Sequence, residues 1–181
     1  MSFANRASAK VFRDKLEIPV IQGGMGVGIS MGKLAGSVAA CGGMGVISTA
    51  LIGFREEDFY QNHVEADVRA LRKEIQIAKE IANGRGMIAI NAMTVTTDYR
   101  ECIEAAVREG IDAIISGAGL PLALPEIVDG KDVLIAPIVS SAKAAALIMR
   151  SWNKKCERKP DFIVVEGSGA GGHLGFKKEE L

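Results

Sequence analysis

Six short apolar runs recur along the chain, at residues 18–21, 44–47, 87–90, 113–115, 133–139 and 162–165. Each is too short for a helix and apolar without alternation, which is the pattern of a strand covered on both faces of a parallel sheet. The stretches between them have helical period. In the clearest, residues 65–82, Val68, Leu71, Ile75, Ala78 and Ile81 share one side, and Asn83-Gly84 supplies a stop. Its other side, with Arg69, Arg72, Lys73, Lys79 and Glu80, reads as a solvated face. A second helix opens at Asp98, with Glu101 three residues on as in a capping box, and closes at Gly110. A third, Ala-rich, runs from Ala142 to about Trp152. Strand followed by helix, six times over, implies right-handed βαβ units and a parallel sheet. The strand starts are about 29 residues apart on average, near the ~31 per unit of a (β/α)8 TIM barrel. An open doubly wound sheet fits almost as well, so periodicity leaves both architectures open.

Charge and composition narrow the partners. Lys+Arg and Asp+Glu are both 22, so the chain lacks the basic footprint that a phosphate backbone requires, and nucleic acid is not an expected partner. With 48% hydrophobic residues in 181, one domain or part of a larger one is expected. Cys41, Cys102 and Cys156 are odd in number, far apart and outside any metal-ligand spacing; they read as small core residues in a reducing compartment, with no metal site. Arg6, Lys10, Arg13 and Lys15 are not followed by the apolar block of a signal peptide. No apolar run approaches the ~20 residues of a membrane span. A soluble cytoplasmic protein with no membrane contact is the expectation.

A polar residue stands at or just after the end of each apolar run: Gln22, Ser48, Asn91, Ser116, Ser140 and Glu166. In either architecture ligands bind at that edge of the sheet. The three serines read equally well as caps or turn formers. Gln22, Asn91 and Glu166 sit beside glycines or at abrupt changes of polarity and are weighted toward function. Glycine is abundant, 21 residues, and clustered. Gly23-Gly24-Met25-Gly26-Val27-Gly28 follows the first run, but Ile29 stands where a dinucleotide fingerprint needs glycine. Gly42, Gly43 and Gly45 are explained by helix termination and tight packing. Residues 116–121, SGAGLP, fit a lining loop and a simple turn equally well. The most informative cluster is residues 166–176, EGSGAGGHLGF, in which glycines surround one imidazole. Histidine exchanges protons near neutral pH, so His173 is read as functional and His63, in a polar stretch, as solvated. With no triad, carboxylate pair or metal constellation in the spacing, a redox cofactor would supply chemistry that these side chains lack.

Taken together, QGGMGVG (22–28), AACGGMGVIS (39–48), AINAM (89–93), ISGAGLP (115–121) and VVEGSGAGGHLGF (164–176) resemble the nitronate monooxygenase family, formerly 2-nitropropane dioxygenases, which includes the flavin-dependent enoyl-ACP reductases. The resemblance covers nearly the whole chain. It implies a (β/α)8 TIM barrel binding FMN at the C-terminal mouth, with a small-molecule substrate, a nitronate or an enoyl thioester. By position, Gly24, Met25 and Gly26 match the loop whose backbone meets the flavin, Asn91 the asparagine near the cofactor, and Glu166, Gly171 and Gly172 the flavin-facing edge of the last strand. His173 matches the catalytic histidine, implied to act as base toward neutral nitroalkanes. SGAGLP lacks the asparagine usual before the proline in the reductases, and Lys143 occupies a stretch that is apolar there; both favour the nitronate branch, with FMN-dependent NAD(P)H enoyl-ACP reduction as the alternative.

Six strands are predicted where eight are required, so residues 1–181 read as the N-terminal part of a single FMN-binding TIM-barrel domain. The phosphate of the cofactor is commonly held after strands seven and eight. These residues alone are therefore expected to bind FMN poorly, and their open edges to favour aggregation or pairing, as in a homo-oligomer. The rival readings are a non-catalytic truncated barrel and a barrel synthase that binds a phosphorylated metabolite without flavin.

Overall fold

The computed structural model describes Phe12 and residues 14–171. Five strands, β1 (Met44–Ser48), β2 (Met87–Met93), β3 (Ala113–Gly117), β4 (Leu134–Val139) and β5 (Val164–Val165), lie in sequence order in one sheet. All four pairings are parallel, with Ser48 beside Asn91, Met93 beside Gly117, Ser116 beside Pro137, and Val139 beside Val165. Helices α1 (Gly32–Ala40), α2 (His63–Ala82), α3 (Tyr99–Arg108), α4 (Leu124–Ile127) and α5 (Ala142–Cys156) fill the connections. The result is a half-barrel of a TIM-barrel fold, which settles the architectural alternative that periodicity left open.

Of the six predicted strands, the first is reduced to a single parallel bridge, Ile21 to Met44. The segment does run beside β1, with Met44 N–H donating to Val20 O at 2.9 Å and Gln22 N–H to Met44 O at 3.0 Å. The ladder is interrupted at Val20, whose N–H turns back across Pro19 onto Ile18 O at 2.7 Å and is lost to β1. The last run, at the opposite edge, keeps two residues of strand.

Side-chain alternation divides the sheet into two faces. Ile47, Ile88, Ile90, Ile114, Ile135 and Val139 point outward into the helical layer, where Leu71, Ile75, Ile103, Ile148 and Trp152 meet them. Met44, Val46, Met87, Ala89, Ala113, Ile115, Leu134 and Ala136 form the inner cluster, extended by Phe12, Leu16, Ile138, Phe162 and Val164. Phe12 and Phe162, with ring centroids 5.0 Å apart, close that interior near its first and last elements. α1 lies so close on β1 that a Cβ at Gly45 would fall 1.8 Å from Ala35 O, so the glycine there is required by packing rather than by a ligand.

α2 matches its predicted span and ends at Asn83 in the left-handed region. α3 begins after Asp98, but the Asp98 side chain makes no cap bond. α5 extends beyond the predicted end at Trp152 to Cys156, and Ser141 Oγ caps it by accepting from Ala144 N–H at 3.2 Å. The reading of all three cysteines as core residues is corrected: Cys102 is buried, Cys156 half-buried, and Cys41 exposed at the end of α1, where the chain turns out of the core. No described helix is long and apolar enough to cross a membrane, and no described group of His, Cys, Asp or Glu could hold a metal ion.

Candidate active site at the C-terminal edge of the sheet

The turn at residues 23–28 is organised by two buried or half-buried polar side chains. Gln22 Nε2 donates to Ser30 Oγ at 2.7 Å and to Val46 O at 3.1 Å, while Gln22 Oε1 accepts from Val46 N–H at 3.1 Å. The amide thus replaces the ladder bonds that the first segment cannot make. Ser30, fully buried, accepts from Met25 N–H at 2.9 Å and donates to Gly23 O at 3.2 Å. These bonds fix the turn against β2: a Cβ at Gly24 would sit 2.4 Å from Asn91 Cβ, and one at Gly26 would sit 2.9 Å from Ala50 Cβ. Nothing lies within 4 Å of the corresponding position at Gly23. Met25 and Val27 hold 46% and 44% of their surface in solvent, an apolar lip on a loop that polar residues would ordinarily occupy.

Alternation separates the polar residues of this edge by role. Ser48 and Asn91 share the inner parity of Val46 and Ala89, and Ser140 and Glu166 continue that of Ile138 and Val164. Ser116 has the outer parity of Ile114, is fully buried, and bonds Tyr99 Oη at 2.8 Å. Burial pushes the Tyr99 phenol up to about 12, so it remains a neutral partner. Among the described residues the Asn91 side-chain amide has no hydrogen-bond partner, whereas its carbonyl accepts from Thr49 N–H at 3.0 Å and Thr49 Oγ1 at 3.2 Å. Glu166 N–H donates to Val139 O at 2.8 Å, which carries the strand ladder one residue past β5.

The SGAGLP segment is pinned from both sides. Thr94 N–H donates to Gly117 O at 2.9 Å and Thr94 Oγ1 to Ala118 O at 2.9 Å. From α5, the buried Trp152 Nε1 donates to Pro121 O at 2.9 Å. Gly24, Met25, Gly26, Asn91, Glu166 and Gly171 therefore all stand on loops or strand ends at one edge of the sheet. Gly172 and His173 lie outside the described residues.

The nitronate monooxygenase family profile matches residues 9–181. The chain belongs to the nitronate monooxygenase family. No curated protein matches it individually. Among solved structures, FabK from Thermotoga maritima superposes with a TM-score of 0.69 at 23% identity, covering 92% of this chain and 46% of that one. A nitroalkane oxidase from Streptomyces ansochromogenes gives a TM-score of 0.70 at 15% identity over 93% of this chain and 52% of that one. This nitronate monooxygenase-family chain thus spans about half the length of the solved structures it matches.

Within that family frame, two sequence readings change. Gln22, weighted toward function, is consumed by the backbone of β1, and Ser116 belongs to the helical layer. Two organising residues had no sequence signal that singled them out. Ser30 lies beyond the glycine run, and Thr94 beyond β2; only the fold shows that each satisfies a loop carbonyl.

Proposed function

We propose that this chain is the N-terminal part of a single FMN-binding barrel domain of an oxidoreductase, a nitronate monooxygenase acting on alkyl nitronates. The observation that carries the reading is the glycine turn at the C-terminal edge, packed directly on Asn91, with open space at Gly23 and an exposed apolar lip at Met25 and Val27. The fit of this edge to an isoalloxazine ring is supported by the exposed Met25 and Val27 and by the Asn91 amide, which is free among described residues to bond a ring heteroatom. FMN, when bound, supplies the electron-accepting chemistry that no side chain here offers.

In this reading Gly24, Met25 and Gly26 present backbone and an apolar lip to the ring, and Asn91 orients it. In the same reading Glu166 and Gly171, with Gly172 outside the described residues, are assigned to the opposite side of the ring. His173, outside the described residues, takes the proton from the carbon beside the nitro group of a neutral nitroalkane. The partners are then small molecules, and the compartment a reducing, cytoplasmic one.

The test is an FMN titration followed by absorbance near ~450 nm, paired with turnover of propionate 3-nitronate and of a neutral nitroalkane. His173→Ala should depress nitroalkane turnover far more than nitronate turnover; equal losses assign His173 to substrate positioning. Residues 1–181 alone are expected to bind weakly, so a preparation of the whole barrel domain that never perturbs the FMN spectrum rejects the flavin reading. Turnover of NADH with crotonyl-CoA, and none with the nitronate, moves the assignment to the enoyl reductase branch.

A further inference from the structure

The loop joining β1 to α2, residues 49–62, carries one cation, Arg55, against three acids. Two of those acids are engaged by α2, where Arg69 bonds Glu56 at 2.8 Å and also pairs with Asp58. Arg55 turns the other way. Its guanidinium carbon lies 4.9 Å from the centroid of the Phe54 ring. A Cβ on Gly28 would meet that ring at 2.8 Å and Arg55 Nη2 at 3.7 Å, so the stacked pair rests on the glycine turn. Among the described residues Arg55 has no ion pair and no hydrogen bond. A guanidinium laid on an aromatic ring keeps its N–H groups at its rim for an acceptor, in the fork that matches a carboxylate.

The base of this side chain is held in place. Thr49 N–H and Oγ1 both donate to Asn91 O, Ile52 is buried, and Gly53 N–H donates to Asp67 Oδ1 at 2.6 Å. Between those anchors Leu51 sits at φ 50°, a left-handed conformation that a side chain of its size keeps only where its neighbours impose it. Leu51 and Phe54 are exposed on this loop, which packs against the turn that carries Met25 and Val27. The edge thus offers apolar surface with one forked, unpaired cation beside it.

We propose that Arg55 anchors the substrate by taking a carboxylate that the substrate carries. The molecules turned over best are then short nitro acids and their nitronates, with the acid group at the end remote from the reacting carbon. This rests on the flavin reading of the glycine turn. Gly28 follows Gly26 by two residues, at most about 7 Å of chain. A carboxylate held by Arg55 therefore lies one short carbon chain from backbone assigned to the ring. A guanidinium also reads phosphate, and FMN carries one. That phosphate is expected after later strands of the barrel, which leaves Arg55 to the substrate.

The experiment compares two substrates in the flavin-loaded whole barrel domain: propionate 3-nitronate, and propyl 1-nitronate, in which a methyl group replaces the carboxylate. Wild type should prefer the first in kcat/KM. Arg55→Leu should lower that preference about 10-fold, mainly through KM, as loss of one charge-assisted contact does. Arg55→Lys should recover part of it, because an ammonium keeps the charge without the fork. Equal losses on both nitronates, or an unchanged preference, overturns the proposal. So does a loss of FMN affinity with riboflavin affinity unchanged, which assigns Arg55 to the cofactor phosphate. The flavin reading is judged separately, in the wild type, by whether the domain binds FMN and oxidises either nitronate. If it fails there, calorimetric titration with 3-nitropropionate decides Arg55 without turnover. Wild type should bind that acid about 10-fold more tightly than Arg55→Leu, and equal binding, or none, overturns the anchor.

Discussion

At the N-terminal edge of the sheet, Asp112 stands directly before β3 and Asp161 three residues before β5, and each clips the neighbouring strand. Asp112 N–H donates to Ile88 O at 3.0 Å while its Oδ2 accepts from Ile88 N–H at 2.9 Å. Asp161 repeats the arrangement on Ile135, at 3.0 and 2.8 Å, with Arg158 Nη2 as a further donor at 2.8 Å. At the C-terminal edge the corresponding places hold the Gly24 turn, an Asn91 amide with no described partner, and the exposed Met25 and Val27. One edge satisfies its backbone with charged side chains; the other presents a glycine turn packed on Asn91 and an exposed apolar lip. The difference teaches that polar residues at strand ends are informative only when their bonds are traced.

Substitutions can break this contrast, beginning with the largest expected effect. Gly24→Val drives a branched side chain into Asn91; it should weaken FMN binding about 100-fold, near 2.8 kcal/mol at ~1.4 kcal/mol per decade, by fluorescence titration, while the far-ultraviolet circular dichroism is retained. Asp161→Ala, at the opposite edge, leaves Ile135 N–H without its acceptor and Arg158 Nη2 with only Val133 O and should cost about 1–3 kcal/mol in urea unfolding, with FMN affinity of the folded fraction unchanged. Gln22→Leu sharpens the comparison, since this residue sits at the C-terminal edge but serves β1; it should lower stability by about 1–2 kcal/mol. Ser141→Ala removes the cap of α5 and should cost ~1 kcal/mol. Asn91→Ala should change stability by no more than ~0.5 kcal/mol yet still weaken flavin binding. If it instead destabilises as much as Asp161→Ala, the two edges are not different in kind.

Much of the fold was legible. Continuous apolar runs announced β1 to β4 because strands buried on both faces need no alternation, and the period of α2 was clear because its solvent face is polar and mostly charged. The first run misled because its four residues include Pro19, across which Val20 N–H turns back onto Ile18 O and leaves the ladder. At the site, clustering of Gly24, Asn91 and Glu166 at one edge follows from parallel pairing, which strand–helix alternation implies in either architecture. Gln22 was misweighted because an amide beside glycines looks the same whether it bonds a ligand or the backbone of β1. Asp98 looked like a helix cap, but its side chain accepts from the Cys102 thiol one turn on, within α3, and not from the backbone N–H groups that a cap would hold.

The indole of Trp152 ties the last helix to the carbonyl of Pro121 across the outer layer. The chain has one tryptophan, so the protein carries its own optical gauge. The emission of that single fluorophore reports the seating of the 117–121 rim, and a quencher or denaturant that reaches it has already lifted α5 from the wall.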